Sequence, residues 1–252
     1  MKRTALVLFA CLVLIGSGFA ADGKQVAYKS GDDTVSGMLY APANAKGKLP
    51  GIVVIHEWYG LNDWVKEQAQ KFADQGYVTL AVDLYRGKVA AGGDEAHELM
   101  RGLPEDRATR DLKSAVAFLK TQKNVDPQKI GTIGWCMGGG YSLAAAIAEP
   151  TVKATVINYG RLVTDESVIK GINAHILGIF GAQDRGIPVD SVRKFEETMK
   201  RLGKQIQVKI YDDAGHGFQN PNNKQGYKAE DAADAWKLQT DFFAREFKSS
   251  AK

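Results

Sequence analysis

Six short apolar runs, at 51–56, 78–82, 130–135, 154–159, 175–180 and 207–211, alternate along this chain with segments of helical period. Runs of that length read as strands, and the amphipathic segments between them read as crossover helices. One such segment follows Asn62 as its cap, with Val65, Ala69 and Phe72 on one face and Gly76 at its end. Ala108, Leu112, Ala115 and Leu119 repeat the pattern. Val192, Phe195, Met199 and Leu202 do so again, with Asp190 as cap and Gly203 as stop. Trp236, Phe243 and Phe247 mark a final helix. A chain patterned this way folds as α/β, a largely parallel sheet covered by helices on both faces. Ahead of the alternation, 26–28 and 34–40 alternate in period two around Gly31-Asp32-Asp33, which predicts an antiparallel hairpin at one edge of the sheet.

The first twenty residues have the form of an export signal. Lys2 and Arg3 lead, an apolar run too short to span a bilayer follows from Ala5 to Ile15, and Gly18-Phe19-Ala20 supplies small residues for cleavage. A cleaved chain, 21–252, is expected in the periplasm or outside the cell, with no membrane contact. It is long enough for one core in a single domain. Losing Lys2 and Arg3 lowers the formal charge from +4 to +2, and no basic stripe is interleaved with aromatics, which argues against a nucleic-acid partner. No obligate protein partner is signalled either, and a monomer is the favoured state. The stretch 86–104, with Gly87, Gly92, Gly93 and Gly102, is the least periodic, and reads equally as a cover over a site or as a surface loop.

Cys11 falls inside the signal, so the exported chain keeps a single cysteine, Cys136. An unpaired thiol in an oxidising compartment needs a reason to persist. Cys136 stands in Gly134-Trp135-Cys136-Met137-Gly138, the Gly-x-Cys-x-Gly shape of a nucleophile elbow, the sharp strand-to-helix turn that usually presents a serine. A helix beginning just beyond it places the sulfur at a helix N-terminus, where a thiolate is favoured. A base and an orienting acid should follow in the order acid, then histidine. Asp184 comes directly after the apolar run ending at Phe180, and His216 just after the run ending at Tyr211. Both therefore lie in loops at the strand ends where the elbow sits. Asp212 and Asp213 compete for the acid's role, but the acid must reach the imidazole from another strand end. His56 and His175 lie within apolar runs and read as core or supporting residues, while His97 reads as solvated. No metal-ligand spacing such as His-x-x-x-His occurs, so neither a metal nor another cofactor is expected.

Gly-Trp-Cys-Met-Gly-Gly-Gly, the later Gly-Ala-Gln-Asp and Gly-His-Gly-Phe together resemble the dienelactone hydrolase family of the α/β-hydrolase superfamily, over nearly all of the exported chain. Ile55-His56-Glu57-Trp58-Tyr59-Gly60 adds to the likeness. The resemblance implies an α/β-hydrolase fold, and a hydrolase of esters or lactones with Cys136 as nucleophile, His216 as base and Asp184 as orienter. It also implies that Glu57 takes the thiol proton when substrate arrives, which would protect the resting thiol from oxidation. The backbone N–H groups of Trp58 and Met137 are the natural oxyanion donors. Trp58, Tyr59, Tyr85, Trp135 and Phe218 could line a pocket or belong to the core; Tyr85, Phe218 and Arg86 are the candidate substrate-binding residues. The family's best-known members hold a substrate carboxylate with two arginines. Here Arg86 stands one residue early, and Asn220 occupies the position four residues after His216, so half of that clamp is missing. Three other readings use the same residues: a non-catalytic binding module, a thiol redox sensor, and an acyltransferase.

Overall fold

The computed structural model describes residues 23–43 and 45–248, so the segment read as an export signal lies outside the described residues. The hairpin forms as β1 (Lys24–Ser30) and β2 (Asp33–Tyr40), turning at Gly31 with φ 59°. The six apolar runs become β3 (Leu49–Ile55), β4 (Val78–Val82), β5 (Val125–Trp135), β6 (Ala154–Asn158), β7 (His175–Gly181) and β8 (Ile206–Tyr211). Between and after them run α1 (Asp63–Asp74), α2 (Gly93–Arg101), α3 (Glu105–Thr121), α4 (Met137–Ala148), α5 (Glu166–Lys170), α6 (Val189–Arg201) and α7 (Ala229–Phe247). The sheet order is β1-β2-β4-β3-β5-β6-β7-β8; β1–β2 and β2–β4 pair antiparallel and every other pair is parallel.

Strand alternation splits the core into two layers. Val53 and Ile55 of β3 face one side with Leu112 and Leu119 of α3, Leu143 of α4 and Phe195 of α6. Ile52 and Val54 face the other, with Phe72 of α1 and Phe242 and Phe243 of α7. Burial of both faces is why these strands read as continuous apolar runs. The chain builds outward from β3 to β4, then returns to place β5 on β3's other side. The order therefore reverses between β3 and β5, and in open parallel sheets the crevice at such a point is where ligands bind.

Four local expectations are corrected. Asp190 lies in the first turn of α6 and Pro188 occupies the cap position. The stretch 86–104 is not irregular throughout, because α2 forms within it. His175 is at an exposed strand start, where its Nδ1 meets Glu246 of α7 at 2.6 Å, rather than in the core. β5 begins at Val125, well before its apolar run.

Candidate active site

Cys136 caps α4 with φ 56° and ψ −121°, a left-handed conformation that non-glycine residues rarely adopt. The flanking glycines make the turn possible. A Cβ on Gly134 would lie 2.1 Å from the Gly138 carbonyl oxygen, and one on Gly138 would lie 2.4 Å from the carbonyl oxygens of Ile55 and His56. The elbow is fixed further by Cys136 N–H donating to the Asn158 carbonyl at 3.0 Å. Sulfur is thereby lifted above the ends of β3 and β5, into an open cleft of about 750 Å³.

His216 enters from the loop after β8, with its Nδ1 2.7 Å from Oδ2 of Asp184, which follows β7. The second oxygen of Asp184 accepts the backbone N–H groups of Gly186 and Ile187 at 2.8 and 3.1 Å. Burial pushes the Asp184 pKa up, but the His216 hydrogen bond and those two amides prevail and hold it below the usual range. Burial alone would lower the His216 pKa; hydrogen bonds with Asp184 and with the Cys136 sulfur override it and hold it up at about 10. Cys136, His216 and Asp184 therefore meet, from loops after three different strands.

Glu57 follows β3 and is buried in the cleft. Its Oε2 accepts from Asn220 Nδ2 at 2.6 Å, while Asn220 Oδ1 accepts the Asn222 N–H at 2.9 Å, so both ends of the amide are used. The buried Tyr159 hydroxyl also approaches this carboxyl. Burial raises the Glu57 pKa to about 7, and the Asn220 bond, His216 and Tyr159 only partly oppose it. Glu57 thus lines the same cleft as the thiol, with its hydrogen bond directed to Asn220 while the thiol lies against His216.

Met137 is the first residue of α4, so its N–H has no acceptor within the helix. The Trp58 N–H belongs to the peptide whose carbonyl, that of Glu57, accepts from His56 Nδ1 at 2.6 Å and from the Gly60 N–H at 3.2 Å. His56 Nε2 in turn accepts the Leu84 N–H at 3.2 Å.

Trp58 and Tyr59 line the cleft beside Val89, Ala90 and Met100, and the Trp58 ring meets the exposed His97 of α2 edge-on at 4.7 Å. The stretch 86–104 is thus one wall of the site. Three other expectations fail. Arg86 turns away: its Nη1 pairs with the buried Asp111 of α3 at 2.7 Å and its Nη2 approaches Asp33 at 3.7 Å. Phe218 is fully buried between Tyr159 and Tyr211. Tyr85 is buried with its hydroxyl on the Met137 sulfur at 3.2 Å, which makes it a support under the elbow rather than a wall of the cleft. Trp135 belongs to the core, and its Nε1 donates to Gln219 at 3.0 Å. Gln219 and Gln239 both donate to Asn158, whose own amide donates to the Gly134 carbonyl at 3.1 Å, so a buried amide chain ties the His216 loop to the elbow. Tyr159, with φ 39° and its ring 5.2 Å from the His216 ring, escaped the sequence reading because it ends an ordinary apolar run.

A fold and cleft of this kind define an α/β-hydrolase, and the sequence comparisons narrow the class. The dienelactone hydrolase family model matches residues 35–247, and the chain belongs to that family of ester and lactone hydrolases. A Methylorubrum extorquens protein that provisionally carries the name carboxymethylenebutenolidase is 34% identical over 215 residues, covering 78% of this chain and 72% of its own. Among solved structures, a dienelactone hydrolase-like promiscuous phosphotriesterase from metagenomic libraries superposes with TM-score 0.84 at 25% identity, covering 90% of this chain and 99% of that one. The dienelactone hydrolase of Anabaena variabilis shares the fold, with TM-score 0.69 at 20% identity over 90% of this chain and 99% of that one.

Proposed function

We propose that this protein hydrolyses carboxylic esters or lactones through a thioester on Cys136, in the periplasm or outside the cell. The observation that carries this reading is the strained elbow thiol lying against an imidazole whose far nitrogen is held by a buried carboxylate. His216, held up at about 10, carries the proton as sulfur attacks the acyl carbon. The N–H groups of Trp58 and Met137 receive the oxyanion. The C–O bond then breaks, His216 returns its proton to the departing alkoxide, and the acyl group remains on sulfur. Water, deprotonated by the same imidazole, attacks the thioester; sulfur leaves, the proton stays on His216, and the acid is released. The His216 side chain is 43% exposed, so water reaches it readily, which favours hydrolysis over transfer to another acceptor.

The test is hydrolysis of cis-dienelactone and of a simple aryl ester by the cleaved protein beside Cys136→Ala, with the acyl-enzyme sought by intact mass. Turnover that needs Cys136 and a mass increase equal to the acyl group support the reading. Equal turnover in Cys136→Ala would sink it.

A further inference from the structure

We propose that the acyl substrate of this cleft is uncharged, and that Asn220 is the residue that decides it. The inference rests on the hydrolase reading above. A substrate carboxylate bound beside the sulfur would need a cation to receive it, since a desolvated anion without one is strongly disfavoured. Arg86 is committed to Asp111 and Asp33 outside the cleft, and Arg185, which follows Asp184, is exposed and does not line the cleft. Asn220 faces Glu57 with a neutral amide, its orientation locked by the Asn222 N–H. Among the described residues lining the cleft, the carboxyl is Glu57, on the floor, and the lysine is Lys224, exposed at the rim. Trp58, Tyr59, Val89, Ala90 and Met100 supply an apolar wall. An anion entering this space meets Glu57 at its depth; of the cations there, His216 is already engaged by Asp184 and the Cys136 sulfur, and Lys224 stands only at the mouth.

The test compares acylation of Cys136 by the mono-4-nitrophenyl ester of adipic acid with acylation by the same ester carrying a methyl cap on its free carboxylate. Nitrophenolate release in Cys136→Ala is subtracted. The expected result is at least a tenfold preference for the capped ester at low salt and pH 8. That preference should shrink as salt screens the repulsion, and Asn220→Arg should narrow it further. Equal rates, or faster reaction with the free carboxylate, overturn the inference; if that reaction is lost in Lys224→Ala, the rim lysine is the anion's receiver instead. Because acylation is read rather than turnover, a protein that acylates but does not deacylate would overturn the hydrolase reading alone.

A separate observation carries a second inference: the geometry points to His56 as the positioning residue for the Trp58 oxyanion donor. In a trans peptide the carbonyl and the N–H point opposite ways, so pinning the Glu57 carbonyl aims the Trp58 N–H in the opposite direction. His56 makes the shorter of the two bonds that pin it, the Gly60 N–H the longer, and the roles of His56 are fixed: a carbonyl can only accept from Nδ1–H, and the Leu84 N–H can only donate to Nε2. Burial keeps this imidazole neutral, as both bonds require. His56→Gln is expected to slow acylation of Cys136 about 10²-fold while leaving its alkylation by iodoacetamide, which forms no oxyanion, within twofold. His56→Asn, whose amide nitrogen replaces Nδ1, should recover at least tenfold of the loss. Parallel loss of acylation and alkylation, or no rescue by asparagine, would overturn it.

Discussion

Two carboxylates in this molecule are set up almost identically, yet their partners face different surroundings. Asp184 and Asp111 each have a side chain 1% exposed, and each holds a partly exposed cationic group at 2.7 Å, His216 in one case and Arg86 in the other. Each also takes support from nearby groups, Asp184 from two backbone amides and Asp111 from the Ser30 hydroxyl at 2.5 Å. The difference lies on the far side of the cationic partner. His216 turns its second nitrogen to the Cys136 sulfur in an open cleft, whereas Arg86 turns its second nitrogen to Asp33 of the hairpin. A buried carboxylate is thus a way to aim a partner, and what the partner then meets decides between chemistry and architecture. Arg86 and Cys136 even share φ 56°, so backbone strain alone does not mark the functional member of the pair.

The comparison breaks most visibly at the group His216 serves. Cys136→Ala should lower kcat/KM for an aryl ester by about 10⁴-fold or more, with the circular dichroism spectrum unchanged. Next comes Asp184→Asn, expected to cost about 10³-fold to 10⁴-fold in kcat, because the amide can hold the imidazole in the wrong tautomer without disturbing the fold. A kcat within tenfold of the native value would show that Asp184, like Asp111, is only a structural pin.

Glu57 sharpens the contrast by supplying a third buried carboxyl whose hydrogen-bonding partner, Asn220, carries no charge. Asp184, beside its imidazole, is held below the usual range, while burial lifts Glu57 to about 7. The folded protein therefore holds a proton on Glu57 that the unfolded chain releases near the ordinary value of 4.5. Stability falls as pH rises between those two values, by up to about 3 kcal/mol. Glu57→Gln, which can keep the Asn220 bond, should remove that decline: little change at pH 4, and a higher melting temperature than the native protein at pH 8. A variant no more stable at pH 8 than at pH 4, relative to native, would show that Glu57 is ionised without cost.

The scaffold was legible in the sequence because its information is local. Strands buried on both faces leave apolar runs that anyone can bound; β4 matched 78–82 to the residue, and β5 was shortened only because Asp126, Pro127 and Gln128 hide its polar beginning. The elbow was legible for the same reason, since Gly134, Cys136 and Gly138 carry their geometry within five residues. What the sequence concealed was direction and long-range company. Leu84-Tyr85-Arg86 lies beside the site, but nothing local announces that Asp111 will claim the guanidinium. Asn220 meets Glu57 across 163 residues, and α2 hid behind its glycines, although its His97 and Met100 line the cleft. Tyr159 lies against His216 through a backbone conformation that no composition would reveal.

Arg86→Met offers the smallest effect and the cleanest separation of the two pairs. It strands the Asp111 carboxylate, whose remaining cationic neighbour, Arg110 Nε, is 3.9 Å away from Oδ1. Breaking a fully buried pair costs about 3–5 kcal/mol, but this guanidinium is 29% exposed and solvent screens part of the interaction. A loss of about 2 kcal/mol follows, or roughly 4–8 °C in melting temperature for a domain of this size. Activity on a neutral ester should stay within twofold at 25 °C, because Arg86 touches neither the cleft nor the elbow. If kcat fell with the melting temperature barely changed, Arg86 would have to reach the substrate during turnover. The two carboxylate pairs would then be two halves of one site.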